Sequence, residues 1–186
     1  MKRLFAGILT AALVLSLAAC GAKPAASSST APAAPKDYVQ ILKDARTDEF
    51  NESYPILSGT SADDATLGHN PFDVPAEEGK NMYDMVVEMT GFKPELMTQY
   101  AMSVSLMNVQ VYTVGIFKPA EGKTQDVIDA ANGYVEMQKK AQEQYLADQY
   151  AIAKAAIVKE LPSGEVILVM CENANDVAAK IETALK

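Results

Sequence analysis

The sequence predicts an α+β fold: one globular domain over residues 37–186, in which an antiparallel sheet of about four strands, arranged as two hairpins, carries helices packed on it. Three observations predict it. Tyr100, Met102, Val104 and Leu106 alternate with Ala101, Ser103 and Ser105, the period of two that a half-buried strand requires. Leu161-Pro162-Ser163-Gly164 separates two β-rich runs, with proline and glycine at the second and fourth positions of a type I turn followed by a bulge. Elsewhere apolar residues recur at steps of three and four, as helix faces do.

In chain order, Asp37 to Arg46 sets Val39, Leu42 and Ala45 at helical spacing, and a short helix is expected. Phe50 to Pro75 is rich in Asn, Ser, Gly, Pro and Asp and reads as mostly irregular, with room for a short strand at Ile56-Leu57. Pro75-Ala76-Glu77-Glu78 opens a helix with carboxylates where the macrodipole favours them. Met82, Met85, Val86 and Met89 then line one face until Gly91 closes the helix, and Pro94 confirms the break.

Strands follow at Tyr100 to Leu106 and Val109 to Phe117, joined by a tight turn at Met107-Asn108, where asparagine tolerates positive φ. Thr124 caps a helix of about five turns, with Asp126 in its first turn and Val127, Ala131, Tyr134, Gln138, Ala141 and Tyr145 on one face. Gly133 weakens it by ~1 kcal/mol. Leu146 to Tyr150 reads as irregular. The strands Ala155 to Leu161 and Glu165 to Cys171 form the second hairpin, and Val166 to Met170, apolar on both faces, belongs in the middle of the sheet. Asn173 caps a last helix, Ala174 to Leu185, whose Val177, Ala178, Ile181 and Leu185 face the sheet.

The first residues carry a different message. Lys2 and Arg3 precede an uncharged apolar run, Leu4 to Ala19, shorter than the roughly 20 residues a membrane span needs. Leu17-Ala18-Ala19-Cys20 followed by Gly21 is the pattern lipoprotein signal peptidase reads. Residues 1–19 are therefore expected to be a signal peptide and Cys20 the lipid attachment site, holding the protein through a diacylglyceryl group with two chains rather than one. Residues 20–36, built from Ala, Ser, Thr and Pro, read as a disordered linker whose ends lie roughly 20 to 25 Å apart. The expected location is the outer face of the cytoplasmic membrane, with the domain extracellular.

Removing Lys2 and Arg3 leaves 14 basic against 24 acidic side chains, a formal charge of −10. Anionic lipids and nucleic acid repel such a domain, so a cationic or neutral partner fits better. Lipidation consumes one of the two cysteines, and Cys171 reads as a buried small hydrophobe rather than a reactive thiol.

No motif argues for chemistry. His69, the sole histidine, lies in Gly68-His69-Asn70-Pro71 near Asp63, Asp64 and Asp73 and reads as part of a solvated loop. Met82, Met85 and Met89 have a spacing suited to Cu(I) thioether ligation, but the same spacing serves a buried helix face, and core packing is expected. Ser58, Ser61, Ser103 and Ser105 lie in no nucleophile elbow. Asp63-Asp64 and Glu77-Glu78 are surface patterns, and Lys139-Lys140 is a solvated face. The eight tyrosines read as packing more than as a ligand groove. No catalytic, metal or cofactor-binding residue is assigned.

The Leu17 to Cys20 lipobox, Ser105-Leu106-Met107-Asn108, Ile116-Phe117-Lys118-Pro119, Tyr145-Leu146-Ala147-Asp148-Gln149-Tyr150 and the Glu165 to Cys171 strand resemble lipoproteins of Gram-positive bacteria grouped as domain of unknown function 4358. The resemblance covers roughly Gly91 to Lys186 and implies no particular activity or site. The reading is a lipid-anchored, non-enzymatic domain that binds an envelope protein or small ligand. The alternative is an accessory enzyme acting on wall or peptide material.

Overall fold

The structure is a computed structural model that describes residues 36–60 and 64–186. Cys20, the expected signal peptide and the expected linker up to residue 35 lie outside the described residues, as do Ser61 and Asp63.

Six strands, not four, form one open antiparallel sheet among the described residues: β1 (Ile56–Gly59), β2 (Thr66–His69), β3 (Met97–Val104), β4 (Thr113–Pro119), β5 (Ile157–Glu160) and β6 (Val166–Met170), in the spatial order β2-β1-β3-β4-β6-β5. The two additional strands come from the stretch expected to be mostly irregular: β1 contains the short strand for which Ile56-Leu57 left room, and β2 is unexpected. Each is four residues long; β1 pairs with β3, where Ile56 faces Ser103 and Gly59 faces Tyr100, and β2 pairs in turn with β1. Both edges of the sheet are thus four-residue strands, β2 on one side and β5 on the other.

Strand alternation divides the core into two layers. On one face Ile56, Ala101, Val114, Ile116, Ile167 and Val169 meet α1 (Tyr38–Ala45) and α6 (Ala174–Ala184). On the other, Leu57, Tyr100, Met102, Phe117, Leu168 and Met170 meet α3 (Ala76–Thr90), α4 (Thr124–Gln142) and α5 (Ala147–Lys154). Every residue of β6 is buried, as a strand flanked by two others and covered on both faces must be.

Local chemistry fixes several ends as the sequence predicts. Asp37 caps α1 by accepting the Gln40 N–H at 3.0 Å. Gly91, at φ 64°, ends α3 in the left-handed conformation that costs glycine nothing. At the β5–β6 hairpin the Gly164 N–H donates to the Leu161 carbonyl at 2.8 Å, and the Leu161 N–H to that of Glu165 at 2.7 Å, with Gly164 at φ 85°. The predicted turn and bulge are both there.

Other expectations are corrected. The β3–β4 strands are shorter at the loop end than read. Residues 105–112 form a wide loop, closed by the Ser105 N–H donating to the Tyr112 carbonyl at 3.0 Å, with a turn at Met107–Gln110 instead of a two-residue turn. Leu146 to Tyr150 is not irregular but mostly the first turn of α5, and α2 (Asp48–Ser53) is a further helix in the supposedly irregular stretch. Thr124 is the first helical residue of α4, not its cap. Asn173 precedes α6 in a left-handed conformation, without a side-chain capping bond.

One buried carboxylate closes the end of the sheet where the chain joins the domain. Glu165 accepts from the Tyr38 hydroxyl at 3.0 Å and lies 3.3 Å from the Lys36 ammonium and 3.9 Å from that of Lys118. Lys36 also donates to the Leu185 carbonyl at 2.5 Å, and its own carbonyl accepts from Gln99 at 2.5 Å. Burial alone would raise the Glu165 pKa. The Ser163 and Tyr38 hydroxyls and the two ammonium groups more than offset that and hold it below the ordinary 4.5. A carboxylate with a depressed folded pKa stabilises the fold above its unfolded pKa and loses that contribution as pH falls through the folded value. Glu165→Gln is therefore expected to cost about 1.5 kcal/mol at neutral pH, since both lysines are partly solvated, and ~4 °C in Tm. Thermal melts of the two proteins should converge on acidification below pH ~4; a gap independent of pH would refute the assignment.

Candidate functional site

The α3/α4 side of the sheet carries a narrow apolar cleft, and its construction begins at the end of α3. Thr90 donates its hydroxyl to the Val86 carbonyl at 2.7 Å and accepts the Phe92 N–H at 3.2 Å, so the chain turns sharply at Gly91 and aims Phe92 at the sheet. There the Phe92 ring meets Tyr100 edge-on at 5.1 Å and Phe117 at 5.5 Å. Phe117 folds down over Gly115, occupying the space where any larger residue would place its Cβ. That lowers the floor of the cleft.

The interior is apolar: Thr90, Phe92, Met97, Met102, Phe117 and Leu168 on one side, Val127, Ala131 and Tyr134 of α4 on the other. Its free space is about 30 Å³, room for one water-sized group. Past Lys93, Leu96 and Ala130, which line both spaces, it adjoins a mouth of about 530 Å³ whose rim adds Gly91, Asp126 and Asp129. Asp126 pairs with Lys123 at 2.9 Å and Asp129 accepts from Gln125 at 2.8 Å, whereas Lys93 has no carboxylate within 4 Å among the described residues. Tyr134, hydrogen-bonded to Thr113 at 3.1 Å, also borders a third space of about 180 Å³ beside Met89, Met107, Gln138 and Gln142. A narrow apolar slot with a mixed-charge rim suits the apolar part of a neutral or zwitterionic ligand.

The residues singled out in the sequence do not converge on this cleft. His69 is not in a solvated loop. It ends edge strand β2, half-buried, with Nε2–H donating to the Asn51 carbonyl; burial lowers its pKa, so it is neutral at physiological pH. The buried face of α3 is Gly79, Tyr83, Val86 and Thr90, not the methionine stripe: Met85 is 49% exposed, and Met82 and Met89 are half-buried. The true face was obscured because glycine and threonine lie on it, and because Tyr83 is drawn inward by a 2.7 Å hydroxyl contact with Tyr100. Ser103 and Ser105 are buried, and Ser103 accepts from Arg46. Six of the eight tyrosines are core residues. Cys171 is buried, and burial pushes its thiol up to about 12, far from a reactive thiolate. Glu77 and Glu78 are exposed in the first turn of α3, and Lys139 and Lys140 lie in the last turn of α4.

Sequence reasoning missed Lys93, Asp126, Asp129 and Ala130, which carry no local motif and meet only in the fold. It also missed Arg46, a buried residue only 5% exposed, whose guanidinium bonds Asn51 Oδ1 through Nε at 2.8 Å and Nη2 at 2.5 Å, and Ser103 through Nη1. Among the described residues no group of three or more His, Cys, Asp or Glu is placed to hold a metal ion, and no helix is long and apolar enough to cross a membrane. The carboxylates held below the ordinary range, Glu165 and Asp148, the latter through Gln149, both lie away from the cleft.

The family described as "Domain of unknown function (DUF4358)" matches over residues 73–172. That span begins before α3, earlier than the resemblance suggested, and ends before α6. It contains every residue lining the cleft and its two adjoining spaces. No curated protein and no solved structure matches the chain.

Proposed function

Because the chain belongs to the family of domain of unknown function 4358, and the shared segment is the one that encloses the cleft, we propose that it is a lipid-anchored binding domain of the cell envelope whose α3/α4 cleft takes the apolar part of a small neutral or zwitterionic ligand. Cys20 supplies the anchor in this reading, and the domain works on the outer face of the cytoplasmic membrane. The observation that carries the binding role is the pairing of a dry aromatic interior with a rim bearing Lys93 against Asp126 and Asp129. Such convergence of apolar lining and few polar groups is the usual form of a small-molecule site.

The mouth offers a direct test. Ala130 is half-buried and borders both the interior and the mouth. Ala130→Phe should obstruct the passage while leaving the sheet untouched. With N-phenyl-1-naphthylamine, a neutral apolar fluorophore whose rings lie in the mouth of about 530 Å³ because the interior admits only one water-sized group, the parent protein is expected to give saturable one-to-one enhancement, and Ala130→Phe to bind at least tenfold more weakly with an unchanged Tm. Equal binding by the two proteins, or no enhancement with either, would overturn the cleft as the site.

A further inference from the structure

The loop 105–112 and the adjoining ends of α4 and α5 gather much of the exposed apolar surface of the domain. Tyr145 is 76% exposed, Val109 57% and Met107 50%. They stand on a rigid base. Gln142 donates to the Asn108 carbonyl at 3.1 Å, the Tyr145 N–H to the Gln142 carbonyl at 3.0 Å, and the Val111 N–H to Gln149 Oε1 at 2.7 Å. The exposed side chains are thus held out by ordered backbone, which lowers the entropy lost when a partner covers them.

Beside the loop lies a cavity of about 190 Å³, outside the cleft described above. Phe50, Tyr112 and Ile152 supply its apolar surface, Gln110 and Gln149 its amides, and Glu49 and Glu172 its two carboxylates. Phe50 packs on Tyr112 with ring centroids 4.7 Å apart. Glu143 and Asp148 flank Tyr145 in the chain. Among the described residues none of these four carboxylates has a lysine or arginine within 4 Å. Aromatic surface next to uncompensated carboxylates favours a cationic side chain, above all a guanidinium.

Position adds to this. The chain joins the domain at Lys36, which is tied to Gln99 at the start of β3, to Glu165 at the start of β6 and to the Leu185 carbonyl. Loop 105–112 leaves the other end of β3, an eight-residue strand roughly 25 Å long. The exposed apolar residues and the acidic cavity therefore lie at the end of the sheet opposite Lys36.

We propose that this end of the sheet is the docking surface for a basic segment of a partner protein, whose apolar residues cover Met107, Val109 and Tyr145 and one of whose arginine or lysine side chains enters the cavity between Glu49 and Glu172. It is separate from the ligand role of the cleft. Charge complementarity selects the occupant: residues 37–186 hold all 24 acidic side chains of the sequence against 12 basic ones, so the domain repels acidic segments and a second copy of itself.

The test uses the full chain on phosphatidylcholine nanodiscs, with empty discs as baseline, and three fluorescent peptides that share one apolar pattern and carry Arg, Gln or Glu at their polar positions. The Arg peptide is expected to bind, the Gln peptide at least tenfold more weakly, and the Glu peptide not measurably. Glu49→Gln with Glu172→Gln should weaken the Arg peptide about tenfold and leave the Gln peptide unchanged. Val109→Ser with Tyr145→Ser should weaken both, and Ala130→Phe neither. Equal binding of the three peptides, or indifference to the carboxylate pair, would overturn the proposal. So would Arg-peptide binding untouched by Val109→Ser with Tyr145→Ser, which would signify diffuse attraction to an acidic protein, and so would self-association through this surface in sedimentation.

Discussion

Cys20→Ser is expected to abolish incorporation of labelled palmitate, and a chain started at Gly21 behind an ordinary cleavable signal should leave the membrane fraction completely. The physical basis is additive burial of methylene groups, about 0.8 kcal/mol each. One acyl chain binds a bilayer only marginally, with an association constant of about 10⁴ M⁻¹, whereas two hold a protein stably. No helix of the described residues is long and apolar enough to replace them. The second variant is needed because blocking lipidation also blocks cleavage, and an uncleaved apolar run could itself keep the chain at the membrane. Label persisting in Cys20→Ser, or sedimentation of the Gly21 chain with membranes, would remove the anchor from the proposal and leave the cleft to stand alone.

Arg46→Ala is expected to cost about 3 kcal/mol and lower Tm by ~9 °C, the largest single effect anticipated within the fold. Burial lowers the guanidinium pKa, yet no carboxylate compensates it within 4 Å among the described residues. Instead Asn51 and Ser103 share its donors, with the buried Tyr112 phenol beside it. Truncation strands Asn51 Oδ1 and Ser103 Oγ in a water-poor layer, and each lost partner has its own desolvation penalty. Lysine should recover only a small part, because a point charge cannot reproduce the planar fork. The combination Arg46→Met with Ser103→Ala should cost less than the sum of its parts, since apolar groups then replace both partners. Urea titrations with unchanged m-values give these differences, and strict additivity would contradict the network.

Where local rules settle the outcome, the sequence was readable. The Asp37 cap, the Gly91 terminus and the Pro162–Gly164 turn each depend on a few neighbouring residues, and each appears as expected. Helices α4 and α6 announce themselves by apolar spacing over three turns or more. Strand β1 is legible only at Ile56-Leu57, and β2 not at all: four residues that include Gly68 acquire a strand conformation only when β1, itself laddered on β3, offers a partner. Helix α5, Ala-Asp-Gln-Tyr-Ala-Ile-Ala-Lys, has almost no apolar stripe, and its one fully buried residue, Ala153, is too small to mark a face. The cleft was least legible of all. Lys93, Ala130 and Phe117 come from separate elements, and the glycine that lets Phe117 lie flat reads in isolation as an interruption of a strand.

The abbreviated outer strands of the sheet bear on crowding. Proteins confined to a film meet their neighbours far more often than the same molecules in bulk, and an unsatisfied ribbon of amides is what such neighbours would zip onto. Here each rim offers only four residues, and β5 adds exposed Lys159 and Glu160. Under the proposed anchoring, so little template, interrupted by charge, should keep densely displayed copies from polymerising side by side.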